Sequence, residues 1–122
     1  MIHDPAGRIS LHRNPERIRV WAGDTLLADT RAAIELRETD YSPRQYIPRE
    51  DVVMEHLKAS PTHTNCPFKG DASYFSVDLR EEKLTDAAWS YERPLDAVAE
   101  IAGYLAFDTR VVTETAGEDA TD

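Results

Sequence analysis

The sequence predicts a mainly β fold, a small and strongly bent sheet or partly closed barrel, with one helix in its C-terminal half. Three observations carry this. Apolar and polar residues alternate in several short runs, most clearly over residues 17–21 and 73–79. Turn-forming residues punctuate those runs, as Ala22-Gly23-Asp24 does between the first two. Only one stretch, from Leu95 to Leu105, repeats its apolar residues at helical spacing.

The chain has 122 residues, 41% of them apolar and 30% charged. That suits one globular domain and not a disordered chain. A single cysteine, Cys66, excludes an intramolecular disulfide and a zinc site made of several thiolates, and it fits a reducing cytoplasm. The first residues lack the apolar core of a secretion signal. The most apolar stretch, residues 98–107, is interrupted by Glu100 and too short to span a bilayer. The expectation is a cytoplasmic protein with no membrane partner.

The net charge is -9, from 14 Lys+Arg against 23 Asp+Glu. Residues 1–69 hold ten bases and ten acids, whereas residues 70–122 hold four bases and thirteen acids. An acidic chain without clustered bases is a poor partner for nucleic acid. The neutral front half nevertheless leaves room for a small anion. Eleven of the 14 bases are Arg, which suits fixed, bidentate contacts.

Taken in order, residues 1–15 mix Pro, Gly, Asn and His without a period and read as an extended arm. Residues 16–113 read as the single β domain. Within it, Ile18 and Val20 share one strand face, and residues 25–29 return after Gly23. Residues 32–37 form a strand by the alternation of Ile34 and Leu36 with Glu35 and Arg37. Residues 44–47 form a short strand that Pro48 stops, since proline cannot donate to a ladder. Residues 52–58 are ambiguous. Residues 59–70 hold Pro61, Pro67 and Gly70 and read as a long loop, the kind of segment that often carries function. Residues 73–79 and 84–91 pair across a turn at Glu81-Glu82. Pro94 opens the helix, Leu95, Val98, Ala99, Ala102 and Leu105 line its apolar face, and Gly103 ends it. Residues 110–115 form the last strand. Residues 114–122 carry four acids and no base, and read as a disordered acidic tail.

Five motifs occur in order: Leu36-Arg37-Glu38-Thr39, Tyr46-Ile47-Pro48-Arg49-Glu50-Asp51-Val52, Thr64-Asn65-Cys66-Pro67-Phe68-Lys69-Gly70, Ala87-Ala88-Trp89-Ser90-Tyr91 and Ile101-Ala102-Gly103-Tyr104-Leu105-Ala106-Phe107. Together they resemble the bacterial and fungal domain-of-unknown-function family number 427 over residues 17–112. The resemblance implies a compact β fold of the tent-like type found in several small ligand-binding and zinc-binding domains. It implies no agreed activity, although the family is sometimes filed as nucleotidyltransferase-like. Nucleotidyl transfer needs carboxylates for Mg²⁺ and a cradle for the triphosphate. Here no Gly precedes Ser, no Asp-x-Asp pair occurs, and Cys66-Pro67-Phe68-Lys69-Gly70 lacks the glycine spacing of a phosphate-binding loop. The tent-like relatives that bind zinc use paired Cys-x-x-Cys motifs, which one cysteine cannot make.

Two constellations could carry chemistry. Cys66 sits between His63 and Lys69. A cation nearby favours the thiolate, so Cys66 and Lys69 are the candidate catalytic residues; the plainer reading is a small residue shaping a turn before Pro67. His63, His56 and Cys66 are irregularly spaced, and no metal and no cofactor is expected of them. The second constellation is Arg37, Arg49 and Lys69 with Tyr46, Tyr74 and Trp89, cations beside aromatic faces that suit a small anionic or planar ligand. Its plainer reading pairs Arg37 and Arg49 with Glu38, Glu50 or Asp51. Trp89 and Tyr91 share one strand face and are expected in the core. The leading expectation is a domain that binds such a ligand through Arg37, Tyr46, Arg49, Cys66, Lys69, Tyr74 and Trp89. An enzyme using Cys66 or Lys69, and a module that meets another chain or a second copy of itself, are the alternatives.

Overall fold

A computed structural model describes residues 8–117. Ten strands follow in order: β1 (Ile9–Asn14), β2 (Ile18–Ala22), β3 (Thr25–Thr30), β4 (Ala33–Glu38), β5 (Arg44–Tyr46), β6 (Leu57–Cys66), β7 (Gly70–Asp78), β8 (Lys83–Ser90), β9 (Leu105–Phe107) and β10 (Thr113–Ala116). Three short 3-10 helices, Arg49–Asp51, Met54–His56 and Asp96–Ile101, link them. Every strand pair is antiparallel. The strands form three sheets, β1-β4-β5, β10-β2-β3 and β6-β7-β8-β9. The fold is therefore mainly β, as expected, and none of the three sheets closes into a barrel. Among the described residues no helix is long and apolar enough to cross a membrane.

A seam joins the first and third sheets. Ile47, just past β5, and Leu105, at the start of β9, exchange both backbone hydrogen bonds at 2.8 Å. Strand β9 shows what the seam separates. Leu105 and Phe107 enter a core with Ile18, Val20, Leu27, Ile47 and Val77, and there the β2–β3 hairpin is buried. Ala106, on the opposite face, enters a second core with Ile34, Leu36, Tyr46, Tyr91, Val98 and Ile101. This division follows from the period of two along a strand. The β2–β3 hairpin forms where alternation and Gly23 place it, the glycine taking φ 58.

Four expectations change. The expected arm contains β1, which pairs with β4 from Ile9 opposite Glu38 to Asn14 opposite Ala33; residues 1–7 lie outside the described residues. The expected loop over residues 59–70 is largely strand β6. Pro61 is tolerated there because β6 is an edge strand and the ladder with β7 shifts register between Ala59 and His63. The Ser60 hydroxyl takes up the Thr62 N–H in the shifted segment. The expected helix is a kinked 3-10 segment, with Val98 at non-helical φ/ψ. Its buried residues, Val98 and Ile101, are three apart, as a 3-10 turn requires, while Leu95 is 46% exposed and Leu105 belongs to β9. Finally, Glu114, Thr115 and Ala116 of the expected tail pair with β2 in strand β10; residues 118–122 lie outside the described residues.

Candidate functional site

The second core is incomplete on one side, where a cavity of about 650 Å³ opens between β4–β5 and β7–β8. Its wall is set by strand parity. Leu36 and Glu38 face it from β4, Arg44 and Tyr46 from β5, Tyr74 from β7 and Trp89 from β8, each pair two residues apart on its strand. The β6–β7 turn closes one end. Lys69 N–H donates to the Cys66 carbonyl at 3.2 Å, so the turn carries Cys66 and Lys69 together to the cavity. Gly70 follows at φ 112, a backbone state that disfavours any side chain, and this lets the chain reverse directly into β7. Asp108 and Arg110, beyond β9, line the other end.

The aromatic groups are tied to one another. Trp89 Nε1–H donates to Tyr46 Oη at 3.2 Å. The Tyr46 and Tyr91 rings lie 6.4 Å apart and those of Tyr74 and Trp89 6.3 Å, both tilted. The Tyr74 hydroxyl shares a hydrogen bond with Thr64. Burial pushes the Tyr46 and Tyr91 phenols above their ordinary values, so both stay protonated at neutral pH.

Three cations face the cavity, and two are neutralised. Lys69 Nζ lies 2.8 Å from Glu38 Oε1, with side chains only 12% and 13% exposed. Burial by itself would lower the Lys69 ammonium. The Glu38 hydrogen bond and the nearby Cys66 and Tyr46 outweigh it, so Lys69 titrates above its ordinary value. Arg110 pairs with Asp108 at 2.9 Å and holds that carboxyl below the usual range. Arg44 is different. Its guanidinium lies 5.1 Å over the Trp89 ring and donates to the Phe107 carbonyl at 3.0 Å. Among the described residues it has no carboxylate within ion-pair distance, although Asp108 and Glu114 feel its charge.

The family is shown at this point by a profile match over residues 10–117. The chain belongs to the family described as Domain of unknown function (DUF427). No curated protein matches it. The nucleotidyltransferase heading can be tested on this DUF427 domain directly. The cavity carboxylates are engaged, Glu38 by Lys69, Asp108 by Arg110 and Asp86 by the Ser60 hydroxyl. Among the described residues no three His, Cys, Asp or Glu side chains gather as metal ligands. These side chains do not fit the paired-carboxylate Mg²⁺ site of that chemistry.

Five residues singled out from the sequence, Tyr46, Cys66, Lys69, Tyr74 and Trp89, line the cavity. Arg37 and Arg49 do not. Arg37 follows Leu36 on β4 and so points to the other face, where it pairs with Glu35. Arg49 donates to the Gly103 carbonyl, the Ser90 hydroxyl and Glu92, and packs over Phe75, so it ties the seam together from outside. Neither makes the expected pair with Glu38, Glu50 or Asp51. His63 and Cys66 are three apart on β6 and therefore face opposite ways. The residue that sequence reasoning missed is Arg44. It stands two before Tyr46 on the same strand, and parity alone was enough to place it beside that ring.

Proposed function

We propose that this domain binds a small anionic, planar molecule in the cavity between β4–β5 and β7–β8. One observation carries the reading. Arg44 is the cavity cation without a carboxylate partner among the described residues, and its plane is held by Trp89 beneath it and by the Phe107 carbonyl at its edge. An oriented guanidinium with N–H groups to spare is a receptor for a carboxylate or phosphate, and it pays little ordering cost on binding. Aromatic walls beside a few placed polar groups are also the usual make-up of a small-molecule site. The lining itself balances, with Arg44, Lys69 and Arg110 against Glu38, Asp86 and Asp108, so the chain's net charge of -9 does not repel an anion locally.

The test is mass spectrometry of the small molecules retained by the purified protein and released on denaturation, compared with Arg44→Gln. The expected result is an anionic compound carried by the wild type and depleted in the variant. Identical profiles from the two proteins, with no anion enriched in either, would overturn the reading.

A further inference from the structure

Anion binding at Arg44 leaves the protons of two buried hydroxyls without a role. Tyr91 is 5% exposed and Tyr46 2%. The Tyr91 hydroxyl makes no hydrogen bond to any described residue. It is not among the fully sealed polar atoms, and Tyr91 lines the cavity, so the hydroxyl opens on that space. The Tyr46 hydroxyl accepts from Trp89 Nε1 and still has its own proton to give. Buried donors in native folds have acceptors, and one without an acceptor among the described residues offers its proton to whatever fills the cavity, water or a ligand atom that displaces it. Lys69 adds a third donor, because one ammonium N–H serves Glu38 and the others remain.

We propose that this end of the cavity is a subsite for an uncharged oxygen acceptor, a carbonyl, amide or ring oxo group, on the same ligand whose anionic group Arg44 receives. The inference rests on the anion reading above and narrows its ligand class. The subsite is rich in donors but carries no net charge, since Lys69 is matched by Glu38. A second anion there would lose its hydration without a free cation to replace it. An ammonium would meet the Lys69 charge, and the one carboxylate beside it is already bound to Lys69, which leaves only neutral phenol oxygens as acceptors. The spacing is set by β5. Arg44 and Tyr46 are two residues apart on one face of that strand, their backbones about 7 Å apart, and both side chains meet Trp89, the guanidinium over its ring and the hydroxyl at Nε1.

The test titrates the full-length protein with 4-acetylbenzoate, 4-ethylbenzoate and terephthalate, followed by nuclear magnetic resonance. These probes share a ring and one carboxylate and differ only at the far end. The acetyl compound should bind about tenfold tighter than the ethyl compound, the worth of one buried hydrogen bond. Tyr91→Phe should remove most of that preference by weakening 4-acetylbenzoate while not weakening 4-ethylbenzoate, which makes no hydrogen bond there. Equal wild-type affinity for the acetyl and ethyl probes, or equal weakening of both by Tyr91→Phe, would overturn the subsite while leaving the anion reading intact. Tightest binding by terephthalate would overturn it as well, because the acceptor would then be charged. Binding of none of the three would overturn the anion reading, and the subsite with it.

Discussion

Replacing Lys69 by methionine keeps the length of the side chain and removes the ammonium from a buried ion pair. The Nζ–Oε1 separation of 2.8 Å corresponds to a gross attraction of about 6 kcal/mol at an effective dielectric constant of about 20. Much of that offsets the cost of desolvating two charges whose side chains are 12% and 13% exposed. Removing one partner forfeits the attraction and leaves Glu38 desolvated. Such losses run to about 3–5 kcal/mol, and the open cavity beside the pair, which lets water reach Glu38, sets the expectation at about 3. For a domain of this size that lowers the melting temperature by roughly 15 °C. Urea denaturation measures it, with the double variant Glu38→Gln/Lys69→Met as control, which should recover to within about 1 kcal/mol of wild type. The pH dependence has a definite sign. Lys69 titrates above its ordinary value of 10.5 in the folded protein, so the pair contributes fully below that value and its contribution is lost as pH rises through the raised one. The Lys69→Met variant should lack this alkaline loss. A Lys69→Met variant within about 0.5 kcal/mol of wild type, the ordinary range of an innocuous surface substitution, would refute the reasoning. So would a double variant as unstable as the single one.

Two further outcomes follow from the same contacts. Glu114 has a buried carboxylate oxygen with no hydrogen-bond partner among the described residues, and burial raises its pKa against the pull of Arg44. Its folded value lies above the ordinary 4.5, so stability should fall as pH rises through that window, and Glu114→Gln should add about 1 kcal/mol at pH 7 and nothing at pH 3 in thermal melts. Arg49→Ala removes contacts to Gly103, Ser90, Glu92 and Phe75, and should cost about 2 kcal/mol in denaturant titrations. It should leave benzoate affinity at the cavity unchanged, since Arg49 does not line it; a tenfold loss of affinity would place Arg49 in the site after all.

Much of the fold was legible because strand parity and turn chemistry are local. Gly23 and the alternation around it announce the β2–β3 hairpin, and Phe75 and Val77 announce β7. Strand β6 was hidden by Pro61, whose usual meaning is a break; an edge position and a register shift remove that meaning, and both depend on neighbours far along the chain. The segment after Pro94 misled for a different reason. Leu95, Val98, Ala102 and Leu105 fit a helical stripe, but Val98 and Ile101 fit a 3-10 turn, and packing chose the latter. In the site, Tyr46, Tyr74 and Trp89 were reachable through their strands. Parity applied to Leu36 would also have set Arg37 aside and brought Glu38 forward. The partnership of Glu38 with Lys69 was out of reach, because the two stand 31 residues apart and meet only when the β6–β7 turn folds against β4.

The central claim is that an anion binds in this cavity at Arg44. Its most direct test uses the two tryptophan indole N–H resonances. Trp89 lies under Arg44 and hydrogen-bonds Tyr46, whereas Trp21 belongs to β2, outside the cavity lining. Titration with benzoate should shift the Trp89 resonance in a saturable way and leave Trp21 in place, and Arg44→Gln should abolish the shift. A Trp89 resonance that stays put, or moves equally with benzylamine or in Arg44→Gln, would contradict the claim.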